Sequence, residues 1–265
     1  MQLSMVNDTA EQIDASLPRV EQVTFASHSA WCKRPEPARE SRFRAVHSVI
    51  SLILPKVLRP TNALGGMEAL RAEAERLQSF ASLGLPVPQV LSITDGHIIL
   101  SDCGTQMRHH LRKQAKSADP TTTLCAAIDV LLRVHHQGRA HGRPFVKDMT
   151  LNDAGDVYLL DLEEDPVARM SLADAQARDV WLFLMSCAEF YEAPDSALRD
   201  LLQRYLAVAP AAVAPRLIAL GRSLRLFRRL LGLIRKTRLS QDIHGAYWAA
   251  RTLEEMGRSD MADAG

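Results

Sequence analysis

The 265-residue chain has few aromatic residues and no excess charge of either sign. Aromatic residues make up 5% of the sequence, which is too few for the stacking surface on which single-stranded nucleic acids bind. Against 31 acidic residues there are 32 lysines and arginines, so the chain has a formal charge of +1 and no global field that attracts nucleic acid. The composition therefore argues against a nucleic-acid partner.

Cysteine pairs and long hydrophobic runs are also absent. The four cysteines lie far apart and form no C-x-x-C pair, which predicts reduced, buried thiols and argues against a zinc site. Residues 1–19 contain no apolar segment of the signal-peptide kind, and no run of 18 apolar residues lacks a charge. We therefore expect a cytoplasmic protein, either soluble or peripheral at the inner membrane.

Hydrophobic patterning predicts a strand-rich front part and a helical remainder. Four short strands are predicted over 20–25, 31–33, 85–91 and 97–100. Residues 26–30 would join the first two strands. Apolar residues at helical spacing from Met67 to Phe80 predict a helix between the two strand pairs, and a further helix is predicted from Leu124 to Val134.

These elements predict an α+β fold in two parts. The N-terminal part covers 1–104 and includes a helical insertion over 38–60, while the C-terminal part covers 105–265 and is mostly helical. From Ser171 onward the apolar periodicity is helical throughout. The insertion has an apolar centre flanked by basic residues.

Two aspartates flank a predicted hairpin in the middle of the chain. Residues 149–151 and 157–160 predict its strands; Asp148 precedes the first and Asp161 follows the second. In an antiparallel hairpin these positions would face each other, and two carboxylates held that close repel. A divalent cation such as Mg²⁺ would remove the conflict. On spacing alone an alternative stays open, in which Asp148 caps a turn and 161–165 is a solvated acidic loop.

The order of features resembles the protein-kinase-like superfamily, specifically its bacterial small-molecule and lipopolysaccharide-core sugar kinases. Val134-His135 and Gly138, followed by His141-Gly142, resemble the "LH…G…HGD" approach to a kinase catalytic loop. Asp148 stands at the place of the metal-binding Asn, and Asp161-Leu162-Glu163 at the place of the DFG motif. Further on, Arg178-Asp179-Val180 resembles the helix that holds the catalytic loop through a buried Asp.

The resemblance implies a two-lobed kinase-like fold with ATP and Mg²⁺ as cofactors. Asp148 and Asp161 would hold the metal, and His141 with Asp179 would order the catalytic loop. Lys33, held by Glu73, would bind the nucleotide phosphates.

Glu73 is a better partner for Lys33 than Glu75 is, because Glu73 shares a helical stripe with Leu70 and Leu77. Alternatively, Lys33 is an exposed cation at a strand end and Glu73 is a charge at the rim of the core.

Three departures from the kinase pattern leave two functions open. Arg143 replaces the catalytic Asp of HGD and cannot accept a proton, residues 26–29 contain no glycine, and Glu163 replaces the DFG glycine. Arg143 would then contact a phosphate or another anion, or else pair with the acidic loop, and Asp148 and Glu163 are candidate substitute bases.

The chain is expected to be an ATP- and Mg²⁺-dependent phosphotransferase acting on a small or lipid-linked acceptor, of the cell-envelope sugar class. The alternative is a catalytically silent pseudokinase with a regulatory or scaffold role.

A basic, apolar segment lies near the C-terminal end of the sequence. Residues 215–239 contain eight lysines and arginines and no acidic residue, interleaved with leucines. Such a segment is typical of a helix that lies on an anionic membrane surface. The alternative is a core helix whose arginines cover its solvent side.

Overall fold

The computed structural model describes residues 4–5, 18–35, 65–114, 118–234 and 241–263. In this part of the chain a strand-rich N-terminal region precedes a mostly helical one, so the predicted α+β class is confirmed. The insertion predicted over 38–60 lies outside the described residues.

One sheet of five strands forms most of the N-terminal region. Its strands are β1 (Ser4–Met5), β2 (Val20–Phe25), β3 (His28–Lys33), β4 (Val90–Ile93) and β5 (Ile98–Ser101). Their order across the sheet is β1-β2-β3-β5-β4, and all neighbours are antiparallel except β1 and β2. Strand β3 is therefore central and ends at Lys33, opposite Val20 of β2 and Ile98 of β5.

The turn between β2 and β3 is tighter than the predicted loop over 26–30. Ala26 and Ser27 both have positive φ, at 47° and 66°, which is the conformation of a two-residue hairpin turn. The sequence contains no glycine here that would indicate this turn. Strand β3 consequently begins at His28, and Phe25 pairs with His28 directly.

Helix α1 (Gly66–Ser82) packs against this sheet, and the helix predicted from Met67 to Phe80 is confirmed. Its apolar stripe is buried and consists of residues three or four positions apart, namely Leu70, Ala74, Leu77 and Phe80. Glu73 lies on the same stripe and is buried with it. A carboxylate therefore faces the interior from the middle of α1.

The C-terminal region consists of a small three-stranded sheet and a set of helices. The sheet has the order β6 (Thr105–Gln106), β7 (Met149–Leu151) and β8 (Val157–Leu159), so the predicted hairpin is confirmed. The helices are α2 (Met107–Gln114), α3 (Thr121–His136), α4 (Leu172–Cys187), α5 (Pro194–Leu206), α6 (Val213–Ser223), α7 (Arg225–Ile234) and α8 (Gln241–Asp263). The described residues after 171 contain no strand, as predicted.

A continuous hydrophobic core joins the two regions. It includes Leu77 of α1, Ile98 of β5, Leu131 of α3 and Phe183 of α4. The elements that carry the candidate site therefore pack against one another through shared apolar contacts. None of the helices among the described residues is long and apolar enough to cross a membrane.

Candidate functional site

Lys33, at the end of β3, contacts three carboxylates in the interior. Its Nζ donates to both carboxylate oxygens of Glu73, at 2.8 and 2.7 Å. The same Nζ lies 3.0 Å from Oδ1 of Asp161 and 2.8 Å from Oε1 of Glu163. The structure therefore brings together Lys33 and Glu73, which the sequence predicted as partners, and adds the acidic loop after β8 to them.

Burial and charge oppose each other in this cluster. Although burial alone would lower the pKa of Lys33, the charges of Glu73, Asp161 and Glu163 raise it above its usual value. Burial raises the pKa of Glu73 to about 7, and Lys33 opposes that shift. Lys33 is thus a firmly charged cation inside the protein, fixed by carboxylates from two different elements.

Asp161 leaves β8 in a backbone conformation that few residues adopt. Its φ is +60°, in the left-handed region, where Asp is better tolerated than most side chains. This turn directs Oδ1 to Lys33 and Oδ2 to Nη2 of Arg143, which donates a hydrogen bond to it. Burial would raise the pKa of Asp161, but Lys33 and Arg143 hold it well below its usual range. Asp161 is therefore ionised and has both oxygens engaged.

Asp148 lies at the end of a 3-10 turn just before β7 and is mostly buried. Burial, together with the negative charge of Asp161, raises the pKa of Asp148 to about 6. Its Oδ2 lies 3.8 Å from Nε of Arg143. Neither of these two buried atoms has a hydrogen-bond partner among the described residues.

The predicted pairing of the two aspartates across the hairpin is wrong. Met149 pairs with Leu159, and the backbone N–H of Leu160 donates to the carbonyl of Asp148 at 2.9 Å, so Leu160 stands opposite Asp148. Asp161 comes one residue later and turns away with its positive φ. The aspartates still influence each other electrostatically, but it is Arg143 that connects them.

Helix α4 holds the loop that contains Arg143 through hydrogen bonds to the loop backbone. Asp179 is fully buried, and its carboxylate accepts hydrogen bonds from the backbone N–H groups of His141 at 2.6 Å and Gly142 at 2.9 Å. Gly142 has a φ of +105°, and a Cβ at this position would collide with the backbone carbonyl of Glu164. The loop therefore packs directly against the acidic segment, and only glycine fits there.

His141 is buried in the same loop and is neutral at pH 7. Burial lowers its pKa to about 4, although the nearby carboxylate of Asp179 opposes the shift. Its Nδ1 accepts a hydrogen bond from the backbone N–H of Arg143 at 3.3 Å. This contact orders the loop, which is the role that the resemblance implied for His141.

Arg76 was not among the predicted site residues, and it connects helix α1 to the two loops of the site. Its guanidinium donates to four backbone carbonyls, those of Ala140, His141, Leu162 and Glu164. Arg76 follows Glu73 by three residues, so both lie on the same side of α1. That spacing is the signal in the sequence that would have indicated it.

Glu163 is also part of the site. It pairs with Lys33 and with Arg19, which precedes β2. One oxygen each from Glu73, Asp161 and Glu163 lie within 4.8 Å of one another, but the ammonium group of Lys33 is bound among them. This trio is therefore a lysine-binding cluster and differs from the aspartate pair that the sequence predicted.

Asp148 and Asp161 fit a magnesium ion only if Arg143 moves. Hard oxygen ligands suit Mg²⁺, and Oδ2 of Asp148 lacks a hydrogen-bond partner among the described residues. The outer oxygen of Asp161, however, already binds the guanidinium of Arg143. The Arg143 side chain is 33% exposed, so it has room to turn toward solvent.

Comparison with protein-family models gives no match, and no curated protein matches the chain.

Proposed function

We propose that this chain is a kinase-like phosphotransferase that uses ATP and Mg²⁺ to phosphorylate a small or lipid-linked acceptor. The observation that carries the proposal is the meeting of Lys33 with Glu73 and Asp161. In protein kinases a strand lysine must be paired with a helix glutamate, and the metal-binding Asp must be in place beside them. Here the three groups come from β3, from α1 and from the end of β8, in the same chain order.

In the proposed site two cations face the nucleotide phosphates. Lys33 is fixed by Glu73, and Arg143 would turn from Asp161 to the phosphates when a nucleotide binds. Asp148 and Asp161 would hold the ion, which supplies neutralisation of the charge on the transferred group. Asp179 keeps the loop and Arg143 in place through the backbone of residues 141–142.

The acceptor hydroxyl also needs a group that takes its proton, and Asp148 and Glu163 are the two candidates. Arg143 stands where the resemblance places the usual base and cannot take a proton. Glu163 is paired with Lys33 and Arg19. Asp148 has an oxygen without a hydrogen-bond partner among the described residues, and its pKa is raised to about 6 before an ion binds. An ion held by Asp148 would lower that pKa, so its two roles compete. Phosphoryl transfer depends mainly on positioning and charge neutralisation, so a weak base suffices.

The proposed acceptor is a sugar of the cell envelope. The motif resemblance to the lipopolysaccharide-core sugar kinases supports this class, for example a lipopolysaccharide-type sugar. The same applies to the finer description of the fold as two-lobed and kinase-like, with which the strand-rich N-terminal region and the helical remainder are compatible.

A silent pseudokinase with a regulatory or scaffold role is the second candidate. The contact between Arg143 and Asp161 favours it, because a guanidinium in that position neutralises the carboxylate that would otherwise hold the ion. In this case the site would bind a nucleotide weakly or not at all and would not release a phosphoryl group.

A binding and turnover experiment distinguishes the two candidates. Thermal unfolding is measured with ATP, with Mg²⁺ and with both, in the native protein and in Asp161→Asn, and phosphate release or transfer from ATP is measured in parallel. The phosphotransferase predicts stabilisation by ATP with Mg²⁺, loss of the Mg²⁺-dependent part in Asp161→Asn, and measurable turnover. The matched control is Asp153→Asn, an exposed aspartate in the turn between β7 and β8. No stabilisation of the native protein by any combination would rule out the proposal.

A further inference from the structure

Helix α7 exposes two leucines that the fold does not use. Leu226 is 66% exposed and Leu230 is 38% exposed, and their spacing of four residues places them side by side along the helix. The opposite side of the same segment faces the protein, where Leu224 is buried and Phe227 packs against the core. The helix is therefore held in place without its outer leucines.

A stripe of arginines runs beside these leucines. Arg225 and Arg229 of α7 and Arg222, in the last turn of α6, are exposed, and none of them forms an ion pair with another described residue. At about 100° per residue, Arg225 and Arg229 lie next to the ridge of Leu226 and Leu230 on the outer face of α7, and Arg222 lies at the adjoining end of α6.

Another arginine of this helix behaves differently. Arg228 points inward and pairs with Glu254 of α8 at 2.6 Å. Arg228 therefore stabilises the fold, whereas the other arginines face solvent. The sequence left open whether this segment is a core helix or a helix on a membrane surface, and the structure gives it one side of each kind.

A partner of this face must accommodate both its apolar ridge and its basic stripe, and three kinds of partner can be compared. A second copy of the chain packed on this face by a two-fold axis would bring three arginines against three like charges. An acidic polymer such as a nucleic acid would contact the arginines but would leave the leucines in water. An anionic lipid surface accommodates both, since leucines enter the interface while arginines stay among the headgroups.

We infer that the outer face of α7 docks the protein on a membrane that contains anionic lipid, through Leu226 and Leu230 together with Arg225 and Arg229. Arg222, at the adjoining end of α6, adds a third cation. The phosphotransferase proposal is separate, because no residue of this face belongs to the site around Lys33.

The test is flotation of the full-length protein with vesicles of phosphatidylcholine alone or mixed with phosphatidylserine. We expect binding to the anionic vesicles, at least about tenfold weaker binding to the neutral ones, and weakening by salt. Leu226→Asn/Leu230→Asn and Arg225→Gln/Arg229→Gln should each reduce binding roughly tenfold or more. Because all four positions are exposed, these variants should keep the thermal stability of the native protein.

Matched controls remove the same groups elsewhere on the surface. Val167→Asn/Val208→Asn removes two exposed apolar side chains, and Lys113→Gln/Arg169→Gln removes two exposed cations. Both should bind the anionic vesicles within about twofold of the native protein. Absence of binding to anionic vesicles, or equal loss in control and α7 variants, would overturn the inference. So would a change of oligomeric state in Leu226→Asn/Leu230→Asn with lipid binding intact.

Discussion

Arg143 donates a hydrogen bond to the outer carboxylate oxygen of Asp161, and so joins the loop after α3 to the end of β8. The contact places a permanent cation on the carboxylate that the resemblance assigns to the metal. Without a ligand, Asp161 is therefore neutralised from both sides, by Lys33 and by Arg143. Any divalent ion must compete with that guanidinium.

Arg143→Gln should strengthen magnesium binding by the nucleotide-free protein. Loss of the guanidinium frees an oxygen of Asp161, and a competing contact worth about 1.4 kcal/mol corresponds to about tenfold in affinity. The same change should weaken ATP binding, because a phosphate contact is lost. Calorimetric titration with Mg²⁺ and with ATP measures both effects. Lys113→Gln, which removes an exposed cation from α2, is the control; equal Mg²⁺ affinities in all three proteins would contradict the prediction.

Lys33→Met should destabilise the protein and abolish ATP binding. It leaves Glu73 buried without its partner, and breaking a buried ion pair in this way costs about 3–5 kcal/mol of unfolding free energy. Lys33→Met/Glu73→Gln removes both charges and should recover most of the stability without recovering ATP binding. Urea denaturation and ATP titration measure the two quantities, with Lys113→Gln as the surface control. If the double variant bound ATP normally, Lys33 would have a structural role only.

Arg76→Lys should loosen the connection between α1 and the loops of the site. A single ammonium group cannot reach four carbonyls, so several buried acceptors would lose their donor. We expect a loss of about 2–3 kcal/mol of unfolding free energy and weaker ATP binding. Arg71→Lys, on the exposed side of the same helix, is the control and should change stability by less than about 0.5 kcal/mol. Similar effects of the two substitutions would show that the four contacts of Arg76 are unimportant.

The buried His141 should make stability depend on pH between about 4 and 6.5. Its pKa is lowered to about 4 in the folded protein, against 6.5 in the unfolded chain, so over this range the unfolded chain binds the additional proton. The stabilisation is complete above pH 6.5 and is lost as the pH falls toward 4.

His141→Asn keeps an acceptor for the backbone N–H of Arg143 but does not titrate. The unfolding free energy of the native protein, relative to this variant, should therefore rise by about 3 kcal/mol from pH 4 to pH 6.5. Urea denaturation at several pH values provides the measurement. Parallel curves for the two proteins would mean that His141 is not buried in its neutral form.

Local periodicity in the sequence was sufficient to predict most of the helices and strands that surround the site. The stripe of Leu70, Leu77 and Phe80 placed Glu73 on the inner side of α1, and the structure buries it there. The strands around residues 20–33 and 149–159 were likewise predictable, because each is a short apolar run bounded by polar or turn residues. The hairpin also placed Asp148 and Asp161 in the same neighbourhood, although not in the pairing that was expected.

What each charged group binds was decided by the tertiary structure. The positive φ of Asp161 and the close approach of Gly142 to Glu164 set the course of the two loops, and neither follows from periodicity. Only these loop conformations bring Arg143 to Asp161. Helices and strands follow patterns among residues two to four positions apart, so the sequence indicates them directly. Ion pairs such as Lys33 with Asp161 join residues 128 positions apart and exist only once the chain has folded.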